Sequence, residues 1–187
     1  FKQLVINAGV VLKNFNPENP SADFDDDIVG ATSGGVNFSA VPTFVDNGAD
    51  IDNCPVDTKE LKEVTGWTVK MTGSFVTLTA DTTKMLIAAA DKATAGNKVT
   101  PRMDLADADF NDLWLVGDYS DKNGETKGGF VAIKILNALS TGGLSVQTEN
   151  RGKTKIAFEF TGHVSISAQT VVPFEVYIKA GEAESTG

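Results

Sequence analysis

The sequence predicts a mainly β fold: a β-sandwich or barrel of about eight strands with one flanking α-helix and long interaction loops, in one domain spanning residues 1–187. Three observations predict it. Apolar residues recur at every second position in several stretches, the period of a half-buried strand. Gly, Asn, Asp and Pro punctuate those stretches as turns. Only one stretch, about residues 82–92, holds apolar residues at helical spacing. At 187 residues and 41% hydrophobic, the chain is long enough for one real core and short for two.

Along the chain, Leu4 to Val11 alternates imperfectly and reads as a strand ended by the turn at Phe15-Asn16-Pro17. An acidic arm, about 14–29, follows. Between residues 16 and 27 it holds two prolines, Glu18, Asp23, Asp25, Asp26 and Asp27, and no basic residue. Phe24, the one large apolar residue there, is either an anchor that docks elsewhere or a contact to its own domain. Gly30-Ala31-Thr32-Ser33-Gly34-Gly35 lacks the Gly-Lys-Ser/Thr of a phosphate loop and opens onto the strand pattern Val36, Phe38, Ala40, Phe44. It therefore reads as a turn needing positive φ. A long loop, about 46–63, holds six acids, two lysines and the turn signals Asn47-Gly48 and Cys54-Pro55; exposed excursions of this length are usually functional or interfacial.

Trp67, Val69, Met71, Gly73 and Phe75 alternate with polar residues in a strand reaching Leu78, and the slip to Val76 and Leu78 predicts either a bulge near Gly73 or Ser74 or a strand buried on both faces. Asp81 or Thr82 caps the helix, whose face is Met85, Leu86, Ala89 and Ala90. Its small side chains predict close packing on a sheet. After the turn-rich 93–109, Phe110 to Val116 forms a strand carrying Trp114. Val131, Ile133 and Ile135 belong to another, with Gly117 to Gly124 as the hairpin tip between them. Leu144 to Val146 leads into a tight turn at Asn150-Arg151-Gly152. Ile156, Phe158 and Phe160 alternate with Lys155, Ala157 and Glu159, and Phe174, Val176 and Ile178 with Glu175, Tyr177 and Lys179. The tail, 181–187, reads as loose.

The chemistry is sparse. A net charge of −9, from 25 acidic and 16 basic residues, argues against grip on nucleic-acid phosphates. No apolar run approaches the ~20 residues that span a bilayer. The amino end lacks the sections of a signal peptide, and Phe1 in place of Met leaves room for residues ahead of it. One cysteine, Cys54, makes no internal disulfide and, with one histidine, no Cys/His zinc cage. His163 has no nucleophile motif beside it, and Cys54 has nothing to lower its pKa. Neither Asp25-x-Asp27-x-Val29-Gly30 nor the stretch before Gly124 keeps calcium-loop spacing, and no two acids stand out as a glycosidase pair. The reading is of no enzyme, with catalytic, cofactor-binding and metal residues none and cofactors none.

The order of these pieces resembles the major tail tube proteins of tailed bacteriophages and related prophage particles. The likeness is carried by Gly30-Ala31-Thr32-x-Gly34-Gly35 after an acidic segment, a strand with Pro42, Phe44, Val45 and Asp46, and a loop opening Asn47-Gly48-Ala49. The strand from Trp67 to Leu78 then feeds a short helix. Gly117-Asp118-Tyr119-Ser120-Asp121, Phe158-Glu159-Phe160-Thr161-Gly162-His163 and Pro173 to Ile178 complete it. Ile51-Asp52-Asn53-Cys54-Pro55 departs from the glycine- and lysine-rich segment such proteins often have there. The resemblance implies a β-sandwich virion subunit, assembled in the host bacterial cytoplasm, that forms hexameric rings stacked into the tail tube. Its partners would be other copies of itself, with tail terminator and tape-measure proteins, and DNA would transit the lumen without specific binding. The fold is similar to that of contractile-machine tube proteins as well. From a different class comes the alternative: a secreted or surface β-sandwich module that binds glycan or protein through its loops, a reading that loop aromatics would favour and for which the sequence offers only two, Phe24 and Tyr119.

Overall fold

The computed structural model describes residues 4–20, 26–95, 97–120, 126–127, 129–150, 152–180 and 182–183. In chain order the strands and helix are β1 (Leu4–Leu12), β2 (Thr32–Asp46), β3 (Lys62–Phe75), α1 (Ala80–Ile87), β4 (Ala90–Lys92), β5 (Val99–Pro101), β6 (Asn111–Ser120), β7 (Thr126–Lys127), β8 (Phe130–Ser140), β9 (Ser145–Gln147), β10 (Lys155–Thr161), β11 (Phe174–Lys179) and β12 (Glu182–Ala183). The fold is mainly β. Eight strands join in one antiparallel sheet, ordered β1-β6-β8-β10-β3-β2, with β11 on β8 and β9 on β10. Two short pairs, β4-β5 and β7-β12, stand apart from it.

β8 ties the sheet's two halves together. Its first six residues are flanked by β6 and β11, while Leu139 and Ser140 pair with Thr161 and Phe160 of β10. The change of partner falls at Asn137, whose φ of +48° marks a bulge opposite β6. Asparagine tolerates this backbone, and here its N–H donates to the Asp112 carboxylate while its side-chain amide donates to the His163 carbonyl.

Val11 of β1, Leu113 of β6, Ile135 of β8, Val69, Met71 and Phe75 of β3, and Ile156, Phe158 and Phe160 of β10 share one buried cluster. Strands from both ends of the path therefore pack on common apolar residues, and the sheet curls over its core. No pairing between the described residues of β1 and β2 closes it. Phe75 and Phe158 stack with ring centroids 4.2 Å apart, and Gly73 makes room for Phe158, whose Cζ would lie 2.6 Å from any Cβ placed there. A second cluster gathers Leu12, Trp114, Phe130 and Ala132, with Phe15 and Tyr177 against it.

Several expectations hold and several need correction. The β10 alternation is as expected, with Ile156, Phe158 and Phe160 buried. β6 and β8 are the expected antiparallel pair, but the tip is not 117–124: Gly117 to Ser120 still belong to β6, with Gly117 opposite Val131 and Asp118 opposite Phe130, and 121–125 lie outside the described residues. In β11 only part of the apolar set faces inward: Phe174 packs on the core against Phe38 and Trp67, but Val176 and Ile178 are exposed, while Tyr177 packs on Trp114. The helix is not 82–92. Thr79 caps it, its hydroxyl accepting from the Thr82 N–H, and it ends at Ile87 because Ala88 turns to a φ of +69°. Ala90 then enters the β4-β5 pair. Close packing does follow, as the Thr82 hydroxyl donates to the Val29 carbonyl and the Ser140 hydroxyl to the Leu86 carbonyl.

The glycine-rich stretch supplies positive φ at Gly34 and Gly35, but inside β2 and not in a turn. It is also where the slip expected at Gly73 is found, on the partner strand: Thr32 faces Phe75 and Val36 faces Gly73, so two extra residues bulge from β2. The acidic arm is shorter than 14–29. Ile28 bridges Leu12, Val29 is buried, and Ala31 accepts from the Val76 N–H, which stitches this segment between the ends of β1 and β3. Phe24 lies outside the described residues. The tail is not loose throughout, because Glu182 and Ala183 pair with Lys127 and Thr126.

Candidate assembly surface

β3 is covered by β10 only from Lys70 to Phe75, yet its pairing with β2 runs on to Lys62 opposite Asp46. Residues 41–46 and 62–66 therefore run on as a two-stranded arm, while Ala40 and Trp67 at its base still pack on the main core. A ribbon of two strands cannot bury both faces, and Val41, Phe44, Val45 and Val64 are exposed, Phe44 at 52%. Pro42 stands opposite Trp67, and with no N–H to donate it interrupts the outer edge of β2. Lys62 lies 5.3 Å from the Phe44 ring centroid, over its face.

The loop closing this arm, 47–61, is ordered without a core of its own. The Asp46 carboxylate accepts from the Asp57 N–H at 2.8 Å and the Gly48 N–H at 2.9 Å. Those two bonds, helped by Lys62, hold the Asp46 carboxyl below its ordinary pKa. Lys62 also pairs with Asp57 at 2.8 Å, and that partner raises its pKa. The Asn47 N–H donates to the Leu61 carbonyl, and the Thr58 hydroxyl to that of Pro55. Asn53 and Asp57 take the positive φ that the turns require. Gly48 is buried where a Cβ would meet Leu61, the Asp46 carboxylate and Cys54. Ile51 and Val56, 53% and 75% exposed, are left outside.

Elsewhere, Arg102 bridges the Asp109 carboxylate at 2.7 Å and Asp91 at 3.0 Å, holding a loop that leaves Met103 and Leu105 exposed. Asp109 also accepts from the Ala106 N–H. Burial works against its charge, yet that bond and Arg102 hold its carboxyl below the ordinary value. His163 is half-buried, its Nδ1 3.2 Å from the Asn137 carbonyl and its ring edge-on to Phe110. Cys54 is half-buried within the arm's loop, beside Thr58. Among the described residues no three His, Cys, Asp or Glu side chains gather to hold a metal ion.

The long loop was legible from its acids and turn signals, although it is narrower, between Asp46 and Lys62. Its internal order was not, because it rests on backbone donors to one carboxylate. Nor were the exposed Val41 and Val64, since an apolar residue in strand pattern reads as buried. Comparison with protein-family models and with curated proteins finds no match. No described helix is long and apolar enough to cross a membrane.

Proposed function

We propose that this protein is a structural subunit of a phage-type tail tube, a β-sandwich that self-assembles into stacked hexameric rings around a channel for DNA. One observation carries the reading. The chain builds an ordered arm that serves no core of its own and exposes apolar side chains on both strands, an arrangement that gains stability only against a partner. The outer edge of β2, which no described strand pairs, gives copies further backbone to share, and ring closure removes such edges. The net charge of −9, repeated round a ring, would keep DNA sliding if enough of it faces the bore.

The binding-module alternative wants an open aromatic face. Trp114, which lines a cleft of about 450 Å³, is nearly buried, with Phe15 edge-on, Tyr177 packed against it and the Lys134 ammonium over its ring. At this cleft the Trp114 ring leaves no face for a sugar; Phe24 and the side chain of Tyr119, the loop aromatics of that alternative, lie outside the described residues. Sedimentation with negative-stain microscopy at rising concentration tests the proposal: rings and tubes are expected, and monomers under every condition would overturn it.

A further inference from the structure

The stretch from Phe160 to Phe174 holds fifteen residues and no Lys, Arg, Asp or Glu, in a chain that is 22% charged and carries −9 overall. Copies of an acidic protein repel one another, and they approach most readily where that charge is missing. The middle of the stretch forms a small, fixed ridge. The Gly162 N–H donates to the Val69 carbonyl and the Leu136 N–H to that of Pro173, which pins both ends to the body. Between them a single 3₁₀ turn, Ile166–Ala168, is closed by the Ala168 N–H to the Ser165 carbonyl and by the Gln169 side-chain amide to that of Ile166. Polar bonds hold the turn, and Ile166 stands 88% exposed on it.

Beside the ridge runs an open cleft of about 460 Å³. Its walls are Val64 to Trp67 at the base of the arm and Val164 and Gln169 to Pro173 on the ridge, and none of these ten residues is charged. Val64, Val164 and Val171 are 46%, 51% and 47% exposed there. A second hollow shares Val164 but includes the Asp107 carboxylate and His163, so it suits an aliphatic side chain less well.

We infer that two copies of this chain pair through this face about a two-fold axis, Ile166 of each seated in the other's cleft against Val64, Val164 and Val171. An apolar knob and an apolar hole side by side on one segment are what an isologous contact needs, since both joints then close at once. The area agrees. At about 160 Å² for a fully exposed aliphatic residue, these four expose roughly 370 Å² on each copy, and ~740 Å² for the pair is the apolar share of an interface of about 1,300 Å², within the range of stable complexes. Because the ridge is already ordered, pairing costs it little conformational freedom. The pair is a form of the free chain and does not rest on the tube reading; a contact that closes on itself at two cannot lengthen a tube.

Sedimentation equilibrium of the full chain, on the fraction left after any polymer is pelleted, tests this. Wild type should pass from monomer to dimer in the micromolar range and stop there. Ile166→Asp removes the knob and brings a carboxylate to each hole, so it should weaken the dimer at least about 100-fold. Its Tm should match wild type, because Ile166 belongs to neither buried cluster. Gln169→Glu keeps the knob and is nearly isosteric, yet puts a charge in the cleft itself, and should weaken the dimer at least about 10-fold. A free fraction that stays monomeric into the millimolar range, that grows past two copies, or whose dimer either variant leaves as tight as wild type overturns the inference. Tubes that grow from a free fraction without dimers overturn it and leave the tube reading standing; dimers that never yield tubes do the reverse.

Discussion

Replacing Phe44 with serine separates the part in assembly proposed for the arm from its part in folding. Phe44 is 52% exposed and belongs to neither buried cluster, so the ring contributes little to the core. A phenylalanine carries roughly 200 Å² of surface, which leaves about 100 Å² free for a partner. At about 25 cal/mol per Å², covering it is worth ~2.5 kcal/mol per contact, close to 70-fold in association. The assay is the critical concentration for polymer, read by sedimentation, beside a thermal melt of the unassembled protein. Phe44→Ser should raise the critical concentration by roughly 50- to 100-fold while moving Tm by no more than about 2 °C. An unchanged critical concentration would refute the arm's role. A melt lowered by about 10 °C would instead make Phe44 part of the core.

Three further outcomes follow from the same structure. Phe158→Ala removes a buried ring stacked on Phe75 and should cost about 3–5 kcal/mol, lowering Tm by roughly 10 °C; a change under 3 °C would mean the sheet does not curl over this core. Asp109 has its carboxyl pKa held below the ordinary value of 3.8, so its contribution is complete above that value and fades as pH falls through the lower folded one. Asp109→Asn should therefore lower Tm by about 4–8 °C at pH 7, for ~2 kcal/mol, and shrink the difference from wild type in acid; an equal difference at pH 7 and pH 2 would contradict the ion pair. Asp46→Ala takes away the acceptor for two backbone N–H groups, so hydrogen exchange should quicken at Gly48 and Asp57 while core amides keep their protection; unchanged exchange there would mean that the loop is ordered by something else.

The sheet was legible wherever a strand has one wet and one dry face. β10 shows this plainly, since its alternation of Ile156, Phe158 and Phe160 with Lys155 and Glu159 follows from burial on one side. Legibility failed where position in the sheet overrides pattern. β11 and the arm keep strand periodicity but lie where no described residue covers Val176, Ile178, Val41 or Val64. The helix end was misplaced because Ala89 and Ala90 suit a helical face as well as a buried strand, and the stop is a backbone turn at Ala88 that alanine does not advertise. The two-residue bulge at Ser33 to Gly35 appeared in the sequence only as its echo on β3. As for the candidate surface, the loop's acids and turns marked where it is, while the exposure of Val41 and Val64 on its two strands follows only from where β10 stops covering β3.

A cryo-electron microscopy reconstruction of the polymer formed by the wild-type chain bears most directly on the claim that this molecule is building material. The account predicts stacked six-membered rings with residues 41–64 of every copy covered by other copies. A polymer whose arms all project into solvent, or a solution that holds single copies at any concentration, would contradict it.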